Sequence, residues 1–308
     1  MRILIVGCGY VGLALGRRLS SSGAEVLGLR RRDDPDGAMA AAGIRAMQGD
    51  LTKPQDLEKI LGDFDAVVVA AASGRGGVDA YRDVYLGGAR NLVAWAHGRR
   101  VGRIVQVGST SVYGQTDGSW VTEDSPTEPD EATGRVLVET ERVFSEADRS
   151  GVVPTLIVRV AGIYGPGRRH LLGQFVTGQA RREPGRWLNM IHRDDVASAL
   201  EAVLLRGQPG RIYNAVDDEP VLQEEFLRFL AESTGRPLPP LTDPAESIPI
   251  RKRGNTNKRV SNRRLRDELG WRPEFPTHRE GYAGAIAALG GTPGAVSPSG
   301  AEGAMIAP

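Results

Sequence analysis

The chain opens on MRILIVGCGYVG, and no other stretch limits so strongly what can be built behind it. Arg2–Val6 has strand character and runs straight into Gly7-x-Gly9-x-x-Gly12, after which a helical pattern covers Val11–Ser21. Gly7 permits the tight turn, and Gly9 lets backbone approach a pyrophosphate without a Cβ in the way. Gly12 allows the helix to pack closely on the sheet, with its first N–H groups turned toward the phosphates. Glycine-rich turns are common, so the spacing alone is a weak signal. Its place between a strand and a helix, at the head of a βαβ unit, makes it a dinucleotide fingerprint. Tyr10 and Val11 fall inside the same turn and belong to the expected cofactor site, while Cys8 reads as a small, inert turn residue.

Short β-type runs alternate with longer helical patterns through the first half. The strand candidates are Arg2–Val6, Glu25–Leu29, Ile44–Gln48, Ala66–Ala70, Arg103–Val107 and Thr155–Val160; helical stretches include Pro54–Leu61, Tyr81–His97 and Ala132–Ala147. Continuous Val/Ile/Leu runs between helices point to a parallel sheet buried on both faces. The expected fold is therefore α/β, a Rossmann-type doubly wound parallel sheet with a smaller C-terminal substrate-side subdomain. The expected division is a dinucleotide-binding domain over 1–167 and a substrate-side subdomain over 168–288, interleaved with the Rossmann core. The turn-rich, small-residue stretch 289–308 reads as a disordered tail.

Composition removes several function classes. A formal net charge of +1 gives no electrostatic case for nucleic acid or an anionic membrane. No apolar run approaches the roughly 20 residues of a membrane helix, and Ile3–Val6 is too short for a signal peptide. A single cysteine excludes an internal disulfide and a cysteine metal cage, and no metal site is expected. The expectation is a soluble cytoplasmic protein acting on a small molecule.

The second strand candidate leads into Arg30-Arg31-Arg32. About 20 residues past the glycines, an NAD site would place a carboxylate for the adenosine ribose. Arg30 and Arg31 instead offer a positive fork for the 2′-phosphate, so NADP is expected as cofactor in preference to NAD. Asp33 and Asp34 follow at once, and a solvated basic loop is the plainer alternative.

With GSTSVYG at 108–114 the chain resembles a known family. It is similar to the extended short-chain dehydrogenase/reductases, the NAD(P)-dependent epimerase/dehydratase group, and looks closest to an atypical branch of nucleotide-sugar epimerases. The resemblance runs from Met1 to about Ala288. It rests on GCGYVG, GDLT at 49–52, VVVAAA at 67–72, GSTSVYG, RVAGIYGPG at 159–167, NMIHRDDVASAL at 189–200, RIYNAVDDEP at 211–220 and NKRVSNRRLRDELGW at 257–271. By this resemblance Asp50 and Leu51 flank the adenine, and Ala70, Ala71 and Ala72 line the cofactor. Gly108 lies beside the nicotinamide, and Ala161, Gly162 and Ile163 offer backbone groups near the carboxamide. Ser109 takes the family's catalytic serine position, hydrogen-bonding the substrate oxygen.

The family's acid/base pair, Tyr-x-x-x-Lys, does not follow. Aligning the helix ATGRVLVETERVF places Thr133 at the tyrosine position and Leu137 at the lysine position. No lysine lies between Lys59 and Lys252, and no tyrosine between Tyr113 and Tyr164, so a shifted alignment does not restore it. Threonine is a poor proton donor beside a phenol. Tyr113, Tyr164 and His170 are the replacements to weigh, Tyr113 first. His192 with Asp194 and Asp195 is read as structural, an Asp capping the next helix. Glu139 and Glu141 diverge on their helix, and Tyr81, Tyr85 and Trp95 read as packing residues. The resemblance implies a homodimer through two helices, one of them Ala132–Ala147. Arg168, Arg169, Arg181, Arg182, Arg186 and Arg251 to Arg253 are candidates to grip an anionic substrate group. Two functions remain open: an NADP(H)-dependent oxidoreductase or epimerase/dehydratase, and a non-catalytic dinucleotide sensor.

Overall fold

The computed structural model describes residues 1–32, 34, 37–74, 76–242 and 256–291. Its centre is a seven-stranded sheet in the order β11-β7-β5-β4-β1-β2-β3, every neighbouring pair parallel. The strands are β1 (Arg2–Val6), β2 (Glu25–Arg30), β3 (Ile44–Gln48), β4 (Ala66–Val69), β5 (Ile104–Ser109), β7 (Thr155–Val160) and β11 (Ile212–Ala215). Ile3 stands level with Val26 of β2 on one side and Ala66 of β4 on the other. The chain leaves the β3 edge and returns on the far side of β1, so the carboxyl ends of β1 and β4 diverge. That is the switch point at which doubly wound sheets open a crevice.

Alternation along β1 decides which helices cover which face. Ile3 and Ile5 pack with Leu15 of α1 (Tyr10–Ser21) and with Leu200 and Val203 of α8 (Arg193–Arg206). Leu4 and Val6 face the other way, with Leu92 and Trp95 of α5 (Gly88–Ala96) and Phe144 of α6 (Ala132–Arg149). Each aliphatic side chain buried this way contributes about 1.5–3 kcal/mol. Two short helices, α2 (Ala38–Ala41) and α3 (Pro54–Glu58), complete the β2–β4 crossovers.

All six expected strands form, with ends moved by two residues at most. The seventh, β11, lies within RIYNAVDDEP and extends the sheet beyond β7. The expected helix over Tyr81–His97 is in three parts: α4 (Gly77–Tyr81), a π-helical turn over Arg82–Gly87, and α5.

Past β7 the chain makes paired short strands. β8 (Gly162–Tyr164) lies parallel to β10 (Met190–His192), and β9 (Trp187–Leu188) antiparallel to β12 (Val221–Leu222). β6 (Trp120–Val121), from the loop after β5, pairs with β13 (Arg259–Val260). A third core gathers Leu172 and Phe175 of α7 (His170–Val176), Phe226 and Leu230 of α9 (Gln223–Thr234), and Tyr282 and Ile286 of α11 (His278–Ala287). Between these parts the chain re-enters the first core: α8 packs along α1, and α10 (Arg263–Leu269) packs on α8 and β11. Arg251 to Arg253 and residues 292–308 of the expected tail 289–308 lie outside the described residues. No described helix is long and apolar enough to cross a membrane.

Candidate functional site

The glycine turn sits at the crevice as its spacing requires. Gly7 has φ +89°, and a Cβ there would fall 2.3 Å from the Ala71 backbone nitrogen. At Gly12 a Cβ would fall 2.7 Å from the Gly7 carbonyl, so this residue serves the close approach of α1. A Cβ on Gly9 would meet nothing within 4 Å; it would project into open space at the head of α1. Gly9 is the N-cap there and no side chain caps the helix, which leaves its first N–H groups for a ligand. An open cradle under uncapped amides fits a pyrophosphate.

The cradle is one end of a cavity of about 1480 Å³, beyond the 300–1,000 Å³ usual for a single small ligand. Gly7, Gly9, Tyr10, Val11, Arg30, Arg31, Asp50 and Leu51 line this end. Ala70, Ala71, Ala72, Gly108, Ser109, Thr133, Ala161, Gly162 and Ile163 line its middle. Gly12 does not line it, being behind the turn. Arg30 holds Asp34 through a 2.9 Å bond from Nη2 to Oδ1. One Asp50 oxygen, Oδ1, accepts from the Thr52 amide at 2.9 Å and its hydroxyl at 2.8 Å. Cys8 is fully buried, and burial pushes its thiol up to about 11.

Ser109 ends β5 and caps the single 3₁₀ turn that follows: its Oγ accepts from the Ser111 amide at 3.2 Å and lies 3.0 Å from Ser111 Oγ. Thr133 and Leu137 are one turn apart on α6 and both face the cavity. Gly134 between them lets the helix come close: a Cβ there would be 3.0 Å from the Ser111 carbonyl.

The proton-donor candidates fall elsewhere. Tyr113 is corrected by its placement, fully buried and absent from the cavity wall. Its hydroxyl donates to Asn214 Oδ1 at 2.8 Å and accepts from Arg159 Nη1 at 2.9 Å. Burial pushes the phenol above its ordinary range. Arg159 in turn holds Glu141 with two bonds, Nε to Oε1 at 3.0 Å and Nη2 to Oε2 at 2.8 Å. Tyr164 is buried against Tyr282, rings stacked at 4.5 Å, and His170 is exposed at the start of α7; neither lines the cavity.

The cap of α8 is His192, whose Nδ1 accepts from the Asp194 amide at 3.3 Å, and not an aspartate. Asp195 is buried and accepts from the Glu274 and Phe275 amides at 2.6 and 3.0 Å, tying α8 to the segment before α11. Burial raises its carboxyl to about 6 against these bonds. No cluster of three or more His, Cys, Asp or Glu side chains suited to a metal occurs among the described residues.

Several lining residues stand outside the expected set. Tyr81, the last residue of α4, and Tyr85, in the π-helical turn, are read as packing residues but both line the cavity, their ring centroids 4.9 Å apart. Ser111, inside the quoted GSTSVYG, is another. The far end is walled by Thr116, Arg186, Trp187, Leu188, Asn189, Thr256 and Lys258.

A seven-stranded parallel sheet with a glycine cradle at its switch point, opening into a long chamber, defines a Rossmann-type protein. The sequence pattern of the NAD dependent epimerase/dehydratase family matches residues 3–215. Protein YeeZ of Escherichia coli strain K12 is 30% identical over 279 residues, 89% of this chain and 96% of that protein. A functionally unknown conserved protein from Silicibacter pomeroyi DSS is 32% identical in its solved structure, with TM-score 0.75, covering 93% of this chain and 98% of its own. DesIV, the dTDP-glucose 4,6-dehydratase of Streptomyces venezuelae with NAD and TYD bound, has TM-score 0.79 over 93% of this chain and 96% of its own. At 22% identity that likeness concerns the fold alone. The chain belongs to the NAD-dependent epimerase/dehydratase family of extended short-chain dehydrogenases/reductases.

Proposed function

We propose that this protein is an NADP(H)-dependent oxidoreductase or epimerase/dehydratase acting on a small anionic molecule in the cytoplasm, with non-standard acid/base residues, and that it works as a homodimer. One observation carries the reading: the cavity does not stop past Ser109 and Ala161–Ile163 but continues to Arg186–Asn189 and Lys258. A bare dinucleotide sensor has no use for that second chamber.

In this reading the Gly7–Gly12 turn and the first amides of α1 hold the pyrophosphate, while Asp50 and Leu51 flank the adenine. Arg30 and Arg31 take the 2′-phosphate. Ala70–Ala72, Gly108 and Ala161–Ile163 hold the nicotinamide half. The bound cofactor supplies or accepts hydride. Ser109, its hydroxyl oriented by Ser111, hydrogen-bonds the substrate oxygen that changes between alcohol and carbonyl. Thr133 offers a second hydroxyl from α6. A threonine hydroxyl does not ionise near neutrality, so Thr133 acts as a donor and relay and not as the base.

Leu137 supports the second reading, a sensor without turnover, because an apolar side chain there cannot lower a neighbour's pKa. Fluorescence titration separates the cofactor claim: NADPH is expected to bind at least ten-fold more tightly than NADH. Arg30→Ala with Arg31→Ala should erase the difference while leaving NADH affinity in place. Equal affinity of the unaltered protein for NADPH and NADH overturns the preference.

A further inference from the structure

The far end of the cavity contains a lysine that the chain takes unusual care to position. Asn189, between β9 and β10, clamps the backbone on both sides of it. Its Nδ2 donates to the Lys258 carbonyl at 2.8 Å, and its Oδ1 accepts from the Val260 amide at 2.7 Å. The residue before is tied just as firmly: Asn257 Oδ1 accepts from the Trp187 amide at 2.8 Å, and the Asn257 amide donates to the Gln115 carbonyl at 2.9 Å. The residue after, Arg259, lies over the rings of Trp120 and Trp187, 5.2 and 4.9 Å from their centroids. Alternation along an extended segment then sends Lys258 the other way, into the cavity wall.

Lys258 is only 5% exposed, and its Nζ donates to Thr256 Oγ1 at 2.6 Å. A hydroxyl satisfies one of three ammonium protons and none of the charge. Among the described residues no carboxylate forms an ion pair with it. The charged groups lining the cavity are Arg186, which binds Glu183, Arg168 over the Tyr10 ring, the Arg30–Arg32 run, and Asp50, Asp130 and Glu131. None of these offsets the burial of Lys258, which alone drives its ammonium down to about 8. Burying a cation with no anion beside it is costly, and a surface lysine would avoid the cost by turning to water. Here the backbone clamp prevents that.

We propose that Lys258 is the anion-holding residue of the substrate chamber, binding an oxyanion group, phosphate or carboxylate, carried by the substrate. This rests on the reading of the cavity as a cofactor site continued by a substrate chamber. Near neutrality the ammonium is charged, and an oxyanion beside it supplies the missing partner in a region where water competes poorly. Alkaline solution removes the proton and with it the attraction.

The test uses the full chain saturated with NADPH, so that the pyrophosphate cradle is filled. The probes are sulfate, as a tetrahedral dianion whose charge is constant with pH, and acetate, as a carboxylate. Calorimetric titration should show at least one of them binding about ten-fold more weakly at pH 9 than at pH 7, as the ammonium deprotonates. Which of the two binds tells a phosphate-like group from a carboxylate. Lys258→Met, which keeps the stem, should lose binding at least ten-fold, and Lys258→Arg, which keeps the charge, should retain it within a few-fold. NADPH affinity, read on the same samples, should be unchanged in both variants. If Lys258→Met binds the probe like the unaltered chain, or if binding is flat from pH 7 to 9, the inference falls. Failure of NADPH itself to bind would instead overturn the cofactor reading on which the inference rests.

Discussion

Arg159, 3% exposed, stands on β7 level with Gly108, the residue before Ser109. Burial works against its charge, but the two bonds to Glu141 and the contact with Tyr113 more than offset that and hold it protonated. The pair is supported from every side: Arg159 also donates to the Glu123 carbonyl at 3.2 Å, and Glu123 Oε1 accepts from the Asn214 amide at 2.8 Å. Removing one partner from such a pair leaves a buried charge alone. Glu141→Gln should therefore cost about 3 kcal/mol of stability, read by urea unfolding. Tyr113→Phe leaves buried Asn214 Oδ1 without its donor, while Arg159 Nη1 keeps the Glu123 carbonyl, and should cost about 2 kcal/mol with NADPH affinity unchanged. A Glu141→Gln protein as stable as the unaltered chain would refute the account. None of this network was legible in the sequence. Tyr113 stands in a motif that invites a catalytic reading, and its partners Arg159 and Asn214 come from strands 46 and 101 residues further on.

At the level of elements, what could be read early was what local chemistry dictates. β1 after Arg2 and β4 are apolar runs buried on both faces, and β7 is such a run broken only at its first residue, Thr155, and at Arg159, so near-continuity marks them. β11 escaped because Ile212–Ala215 is four residues long and includes a buried Asn. The π-helical turn over Arg82–Gly87 escaped because the apolar pattern of Tyr81–His97 reads as one continuous helix, and Tyr85 lines the cavity from that turn. Lys258 escaped because nothing in spacing relates it to Asn189 or to β6; the Asn189 clamp and the pairing of β13 with β6 bring it to the chamber. The helix α11 shows a different balance. Its N-cap Thr277 and Glu280 form a reciprocal capping box, and its first residue, His278, is fully buried against Phe226 and Phe229. Neither ring nitrogen of His278 has a hydrogen-bond partner among the described residues. Burial drives its pKa down to about 4 from 6.5. The folded form thus binds this proton less readily than the unfolded chain, so the stability it carries is complete above about pH 6.5 and lost as pH falls toward 4. Asp195 acts with the opposite sign. Its carboxyl, raised to about 6, favours the protonated folded form; that contribution is present at low pH and lost as pH rises through 6. His278→Phe deletes the first effect and leaves the second. The unaltered protein should lose about 2 kcal/mol more than this variant between pH 7 and pH 5, measured by unfolding at both values. Equal acid sensitivity of the two would remove His278 from the explanation.

For the whole molecule, the unused surface is the outer face of α5 and α6. Leu86, Val93, Val143 and Val152 line a shallow groove of about 800 Å³ there, which shares no lining residue with the larger cavity. Around them stand Arg90, Arg142 and Arg149 on one hand and Glu139 and Glu146 on the other. A two-fold axis brings a patch against its own copy, so an interface of this kind must complement itself. An apolar stripe flanked by both signs of charge meets that condition, whereas a face of one sign would repel its copy. The chamber opens at the carboxyl ends of the strands and remains accessible when these helices are covered. The homodimer proposed here therefore predicts a mass of two chains at micromolar protein by sedimentation or light scattering, with about 800 Å² buried per subunit. Val143→Glu places a charge at the centre of the stripe on an already half-exposed position, so the fold should survive and the mass should fall to one chain. NADPH binding should persist in that monomer, because no residue of the groove lines the cavity. A monomeric mass for the unaltered chain at micromolar concentration would refute the dimer, and a dimer indifferent to Val143→Glu would place its interface on another face.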